Sequence, residues 1–393
     1  MNGRNGIEKL RVGIACGGTG GHLFPGIALA EAFEKVNWEP LLFVAGTRIE
    51  SFGLSSQSGL RTLTLPIRGF NFAGSVSFLS RLYKAYKLAR SFCQEVGVRA
   101  VIGTGGYVSV PVILAARQLG IPTFLHESNA IPGRANRLLA RMVDRVFVGL
   151  GPALSHIKAR KVTVTGTPVR IEFLRERRTP QECRRELGLD PEADVLLVMG
   201  GSQGAMAIND LVLHSLEMIH RYLPQLQIIH VTGPRDYSRV QAQYKQRRMN
   251  HIILEFATQM PLVMRAASLA VARAGASTLA ELAVMGVPAI LIPYPHAVRN
   301  HQNFNAKFYE RAGGVVVLPQ SGATPGVFAE LVCSLLANTA RLSAMSEAIV
   351  RLAVPEAADR IVEIVSEVVV NSLKTAGANG RLRTGVVDIS AVS

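Results

Sequence analysis

The sequence predicts an α/β protein built from two doubly wound parallel sheets, and three observations carry that prediction. First, an apolar run at residues 11–16 leads into the glycine-rich turn Gly17-Gly-Thr-Gly-Gly-His22 and then into an apolar-periodic segment at 25–36, the signature of strand, loop and helix. Second, the same succession returns at 195–199, Gly200-Gly-Ser-Gln-Gly204 and 205–219. Third, short apolar runs keep alternating with helix-length segments through both halves, as parallel sheets with helical crossovers require.

The elements follow in order. In the first half, strands are expected at 11–16, 40–45, 100–102, 122–126 and 162–166, with Pro25 in the first turn of the first helix. Residues 172–191 are charged and bounded by proline, which suits a linker and the first helix of a new domain. In the second half, strands are expected at 195–199, 227–232, 252–256, 269–273, 289–293 and 314–318, and helices at 328–338, 341–352 and 357–370. The first domain covers 1–168 and regains the chain at 355–371, the second covers 169–354, and 372–393 is a polar, mobile tail. A cleft between two such domains is the expected ligand site.

Composition narrows the function. The chain has 393 residues and is 48% hydrophobic, enough for two packed cores. A formal charge of +15 asks for an anionic partner. Aromatic residues make up only 6% and no nucleic-acid motif is present, which sets nucleic acid aside in favour of a phosphorylated substrate or an anionic membrane. The four cysteines are scattered, without metal or redox spacing. The first eleven residues lack an apolar signal core, so export is not expected. The run at 282–295 is too short to span a bilayer, which leaves a peripheral membrane role.

The stretch at 269–281 organises the second half. A buried strand meets Ala274, Gly275, Ala276, Ser277 and Thr278, all small, and a helix follows through Gly286. A small-residue turn at a helix N-terminus is an anion site. Glu281 is expected in the first turn and admits two roles. Thr278-Leu-Ala-Glu281 has the spacing of a capping box, and the same carboxylate is placed to take sugar hydroxyls. The usual dinucleotide acid is absent after the second strand, where Gly46, Thr47 and Arg48 stand, which argues against NAD.

There is no metal-ligand cluster and no Walker lysine. Several glycine turns and excess positive charge therefore suggest group transfer from a nucleotide-activated donor. Helix dipoles, backbone amides, Ser202 and Arg170 would take up leaving-group charge. His22 is the candidate base, with a structural hydrogen bond as its other role; His126, His296 and His301 are open to the same two readings.

Taken together, Gly17–His22, Gly105-Gly-Tyr-Val-Ser109, His126-Glu-Ser-Asn129, Gly166-Thr-Pro-Val-Arg170, Gly200–Gly204 and Arg273–Glu281 resemble the MurG family, in family order from about residue 11 to 370. These are bacterial peptidoglycan glycosyltransferases that move N-acetylglucosamine from UDP-N-acetylglucosamine to lipid I, giving lipid II. The resemblance implies a GT-B fold, inversion at the anomeric carbon and no cofactor or metal. It implies that Thr19, Gly20 and Gly21 lie beside the donor sugar, that Asn129 and Gln302 contact the sugar, and that Arg170 and Ser202 contact the nucleotide and its phosphates. Ala276, Ser277, Thr278, Leu279 and Ala280 would receive the diphosphate, Glu281 the ribose and Ala257 the uracil. Gly105, Gly106, Tyr107, Ser109 and Gln203 would form acceptor-side loops. Two positions depart from many relatives: Ala257, where isoleucine occurs, and Thr167, where asparagine is common. Another UDP-sugar enzyme of the same fold, such as an epimerase, and a non-catalytic nucleotide-sugar binder fit the same motifs.

A lipid-linked acceptor implies a peripheral enzyme at the cytoplasmic face of the bacterial membrane. The expected docking surface is 69–92. Phe78, Leu79, Leu82, Tyr86 and Ala89 share one helical face, Arg81, Lys84, Lys87 and Arg90 fan over the other, and Phe70 and Phe72 precede the helix. A core-packed helix with a solvated basic face has the same pattern.

Overall fold

The computed structural model describes residues 9–47, 59–67, 75–201, 203–247 and 249–378. Contacts divide the chain into two compact units: Met1–Ser128, Pro132–Arg170 and Glu356–Ser393 in the first, Asn129–Ile131 and Ile171–Pro355 in the second.

The first unit holds β1 (Arg11–Ala15), β2 (Glu39–Val44), β3 (Arg61–Thr64), β4 (Ala100–Gly103), β5 (Thr123–Glu127), β6 (Arg145–Val148) and β7 (Val162–Val164). They pair in the order β3-β2-β1-β4-β5-β6-β7, all parallel. The second holds β8 (Val195–Met199), β9 (Gln227–Val231), β10 (His251–Leu254), β11 (Leu269–Ala272), β12 (Ala289–Leu291) and β13 (Val315–Val317), in the order β10-β9-β8-β11-β12-β13. The second order repeats the first six positions of the first. In each sheet the strand order reverses beside the opening strand, between β1 and β4 and between β8 and β11. Parallel sheets covered on both faces need continuous apolar strands, and β1, β4, β8 and β11 are buried almost throughout.

The closing helix, Ala357–Ala378, belongs to the first unit. Ala358, Ile361, Val362, Val365 and Val369 recur at helical spacing and join one core cluster with Leu23, Ile27, Ala30 and Phe33 of the Gly20–Lys35 helix. This helix runs seven residues into the stretch expected as a tail, so 372–378 are helical; residues 379–393 lie outside the described residues. Helical spacing does persist there, but polar residues hide it from a hydrophobicity reading.

Two strands, β3 and β6, are not foreseen by the sequence reading. β3 is an edge strand with three of four residues exposed, so it carries little apolar signal. Pro25 also moves. The first helix begins at Gly20, because the Thr19 carbonyl already accepts from the N–H groups of His22 and Leu23 at 3.1 and 3.0 Å. Pro25 therefore sits in the second turn.

The apolar face of the basic helix is core. In Ser75–Glu95, Ala85, Ala89 and Cys93 are buried, and Leu82, Tyr86 and Phe92 pack against the same cluster. Leu79, expected on that face, is instead 63% exposed. The buried stripe is rotated toward the small Ala85 and Cys93, and the helix packs closely on the neighbouring Ser109–Gln118 helix. Phe70 and Phe72 lie outside the described residues.

Candidate active site

In the first unit the turns after β1 and β4 meet at the point where strand order reverses. His22 is the third residue of the Gly20–Lys35 helix. Its Nδ1 lies 3.0 Å from the Thr104 carbonyl. A carbonyl only accepts, so Nδ1 carries the proton and Nε2 keeps its lone pair. Thr104 reciprocates, its hydroxyl donating to the His22 carbonyl at 2.7 Å. The imidazole is walled by the second glycine turn. Gly105 and Gly106 take φ of +110° and +74°, and a Cβ on Gly105 would stand 2.8 Å from Cε1 and Nδ1 of His22. Both glycines are thus required twice, by backbone and by the ring they face. Ser109 closes the turn, accepting from the Gly105 N–H at 3.1 Å and donating to its carbonyl at 2.8 Å. The Tyr107 ring covers Gly18 of the first turn. His22, Gly105, Gly106, Tyr107 and Ser109 thus come together with Thr19, Gly20 and Gly21. Arg170 lies with its guanidinium 4.4 Å from the Phe24 ring in the same unit.

In the second unit the turns after β8 and β11 occupy the equivalent reversal point. Ala276–Met285 is a helix whose N-cap is Gly275, with no side-chain cap. The first N–H groups of a helix point out of its end rather than along its ladder, and Ala276, Ser277 and Thr278 stand there, with Leu279 and Ala280 the first residues of the ladder behind them. Thr278 is the third helical residue, not the N-cap, so the expected capping box does not exist. Glu281 is accordingly in the second turn rather than the first, and is buried. The cause is Gly275, whose carbonyl already receives the Leu279 N–H at 3.0 Å and starts the helix two residues early.

Asn305 is a residue that sequence reading missed. It is fully buried, and its amide makes three bonds: Nδ2 to the Asn129 Oδ1 at 3.0 Å and to the Ala274 carbonyl at 3.1 Å, and Oδ1 from the Ala130 N–H at 2.8 Å. It holds Asn129 to the turn that precedes the Ala276–Met285 helix. Its signal was its place one turn after Gln302 in the His301–Arg311 helix. Gln302 itself accepts from the Tyr294 N–H at 2.9 Å. Of the remaining expected residues, Ala257 is buried after β10 and Gln203 is exposed. Ser202 lies outside the described residues. His301 Nδ1 is taken by the Val298 carbonyl at 2.9 Å, and His296 packs edge-on to Tyr294. Among the described residues no group of three or more His, Cys, Asp or Glu is placed to hold a metal ion.

Gly204 packs on Thr232 and Gly233, with no room for a Cβ. Beneath it, Asn209 donates to the Thr232 carbonyl at 3.1 Å and to Asp236 at 2.7 Å, and its carbonyl faces His230 Nε2 at 3.0 Å. Arg239 and this amide hold the Asp236 carboxyl below its usual range.

Two buried histidines are structural. His126 Nε2 faces the Gly166 carbonyl at 3.1 Å, and burial pushes its pKa down to about 4. Burial likewise pushes His230 down to about 3. Both are neutral in the folded protein near pH 7, and His126 has no exposed surface with which to meet a substrate. A lowered histidine pKa means that the unfolded chain binds a proton the native state refuses once the pH falls below about 6.5. Stability is therefore full above that value and is lost as the pH falls toward 4. At pH 5 each unit should be about 2 kcal/mol weaker than at pH 7.5 on account of its one buried histidine. Urea unfolding at the two pH values, followed with a probe in each unit, measures this; equal midpoints would mean that the imidazoles charge in place.

Two parallel α/β units, each presenting small-residue turns where its strand order reverses, define a nucleotide-binding enzyme of two Rossmann-like halves. Residues 12–148 match the glycosyltransferase family 28 N-terminal domain and residues 195–361 the glycosyltransferase family 28 C-terminal domain. The chain belongs to glycosyltransferase family 28, and within it to the MurG family. It is 37% identical over 342 residues to the UDP-N-acetylglucosamine–N-acetylmuramyl-(pentapeptide) pyrophosphoryl-undecaprenol N-acetylglucosamine transferase of Carboxydothermus hydrogenoformans, covering 86% of this chain and 92% of the relative. The enzyme of the same name from Geobacter sulfurreducens is 38% identical, covering 89% and 96%. The crystal structure of Acinetobacter baumannii MurG superposes with a TM-score of 0.71 at 29% identity, over 92% of this chain and 100% of that one. A putative UDP-N-acetylglucosamine 2-epimerase from Listeria monocytogenes shares the fold, with a TM-score of 0.69 at 16% identity over 91% and 96% of the two chains.

Proposed function

We propose that this enzyme transfers N-acetylglucosamine from UDP-N-acetylglucosamine to the N-acetylmuramyl-pentapeptide of a pyrophosphoryl-undecaprenol lipid, the step that makes lipid II for peptidoglycan. The observation that carries the reading is the placement of the small-residue turns at the reversal points of both sheets, where open α/β folds bind nucleotides. Incubation with labelled UDP-N-acetylglucosamine and a lipid I analogue should give a labelled disaccharide product. Turnover of the donor without that acceptor would move the chain to another UDP-sugar chemistry of the same fold.

The chemistry follows from the residues. The donor diphosphate sits at the N-terminus of the Ala276–Met285 helix, with Glu281 on the ribose, Ala257 beside the uracil, and Asn129 and Gln302 on the sugar. The acceptor hydroxyl gives its proton to His22 Nε2 as its oxygen attacks the anomeric carbon from the face opposite UDP. The bond from that carbon to the diphosphate breaks, UDP leaves with the electron pair, and configuration inverts. Charge growing on the leaving diphosphate meets the positive end of the helix dipole. The turn of Gly105–Ser109 orients the imidazole and, with Gln203, faces the acceptor.

An acceptor anchored in a bilayer requires the enzyme to reach the cytoplasmic surface of the membrane. Among the described residues no single helix is long and apolar enough to cross a bilayer; the bent pair Pro325–Leu336 and Thr339–Val350 places Phe328, Val332, Leu335 and Met345 in the second unit's core. The docking surface proposed is the outward side of Ser75–Glu95. Leu79 and Tyr83 are exposed there at 63% and 57%, and Lys87 lies 4.8 Å from the Tyr83 ring. Arg81, Lys84 and Arg90 are also exposed. Each cation near an anionic leaflet contributes about 1 kcal/mol and is screened by salt. Replacing Arg81, Lys84, Lys87 and Arg90 with glutamine should weaken sedimentation with anionic vesicles strongly at low salt and spare activity on a short-chain acceptor. Equal sedimentation of the two proteins across a salt series would remove this helix from the docking surface.

A further inference from the structure

A cavity of about 420 Å³ opens on the first unit, lined by Arg134, Arg137, Arg141, Ser155, His156 and Lys158. The three arginines recur at i, i+3 and i+7 and so share one side of the Arg134–Leu139 helix and the turn after it. His156 and Lys158 approach from the short 3-10 helix Gly151–His156 and the residues that follow it. No acid lines the cavity. Between residues 134 and 161 seven lysines and arginines stand against one acid, Asp144, so the local charge is not balanced from within the segment. Asp144 is engaged elsewhere, accepting from the Thr123 N–H at 2.8 Å and its hydroxyl at 3.1 Å. Arg134 lies in the first turn of its helix, where a cation opposes the dipole and the turn holds no acid of its own; the Glu127 carboxylate at that end is engaged by the Gly133 N–H and the Asn136 amide, both at 2.9 Å. Cations gathered at these costs around one concavity call for a counter-charge.

The geometry points to a binding site for a small, soluble polyphosphate anion, distinct from the residues assigned to donor and acceptor. Guanidinium groups recognise phosphate through paired N–H donors, and three on one helix side match a ligand with two adjacent phosphates better than a single-charge anion. The volume lies within the range of small-molecule pockets. Ser155 adds a neutral donor, and Leu138, half exposed at 56%, gives the mouth an apolar edge. A lipid headgroup shares the phosphate chemistry; the concave, cation-lined shape favours the free ligand.

The test is calorimetric titration of inorganic pyrophosphate into the full chain at saturating UDP, which excludes the donor helix from the signal. One further equivalent should bind, and Arg137→Gln and Arg141→Gln should each weaken it about tenfold or more. Arg351→Gln, at the end of the Thr339–Val350 helix, should leave it unchanged. Pyrophosphate should also raise the melting temperature of the wild type but not of the double variant, which reports occupancy independently of heat. No heat from wild type at saturating UDP, or equal affinity in the double variant, overturns the proposal. A second arm uses vesicles of phosphatidylglycerol in phosphatidylcholine. Vesicle binding lost in the double variant, with no pyrophosphate binding by wild type, assigns the cavity to lipid and also overturns it.

Discussion

Replacing His22 with alanine is expected to lower kcat by about 10²–10⁴-fold while leaving UDP affinity nearly unchanged. The expectation rests on a tautomer set by the fold. The Thr104 carbonyl accepts from Nδ1 at 3.0 Å, so the other nitrogen is the one that carries the lone pair. Thr104 is itself held, its N–H reaching the Ala15 carbonyl at 2.9 Å and its hydroxyl the His22 carbonyl at 2.7 Å. The ring is thus tied to the ends of β1 and β4, and Gly105 and Gly106 leave it no alternative position on their side. His22→Gln keeps a polar side chain near Thr104 but cannot carry the proton between pH 5 and 8, so it should lose kcat as alanine does. The acidic limb of the pH–rate profile should disappear in both. Calorimetry showing lost UDP affinity, with kcat preserved at saturation, would make His22 a binding or structural residue.

Much of this architecture was legible because parallel strands are short, apolar and bounded by small residues. β8 is delimited to the residue, since Asp194 and Gly200 flank an unbroken apolar run. The turns were legible for a related reason: glycine is conspicuous, and its positions after β1, β4 and β8 repeat. The boundaries of helices beside those turns were not. Both the Gly20–Lys35 and Ala276–Met285 helices begin earlier than expected, because small residues that look like loop can take helical backbone when a preceding carbonyl is available. The capping box failed for that reason, as did the placement of Pro25.

Long-range pairings were the least legible part of the site. Nothing in the local pattern ties Asn305 to Asn129, 176 positions away, yet that amide fixes an expected sugar contact. The orientation of the Ser75–Glu95 helix had the same weakness. Its wheel offers Leu79 and Ala85 on different sides, and only packing against the rest of the unit, the Ser109–Gln118 helix above all, selects Ala85. His126 was legible as a polar group at a strand end but not as a buried one, since burial is decided by the neighbouring β6 and β4.

Glu281→Ala should raise the KM for UDP-N-acetylglucosamine about ten- to a hundredfold and change kcat less, because a carboxylate accepting from two ribose hydroxyls contributes about 1.5–3 kcal/mol. A purely capping Glu281 would have to stand three residues after the cap. Gly275 is the cap, so that position belongs to Thr278, and Glu281 lies a turn deeper. Its removal therefore does not expose the helix end, and the melting temperature should move little. Glu281 is 7% exposed and is the sixth residue of the helix. In the proposed reading a donor diphosphate held at the helix N-terminus would leave its ribose one turn along the helix, beside Glu281. The sharper measurement is a cycle with a 2′-deoxy donor. Wild type should discriminate against it about tenfold or more, since a missing hydroxyl strands the carboxylate. Glu281→Ala should accept both donors nearly alike. Discrimination of equal size in the two proteins, or a large loss of melting temperature with KM unchanged, would place Glu281 in the scaffold and the ribose elsewhere.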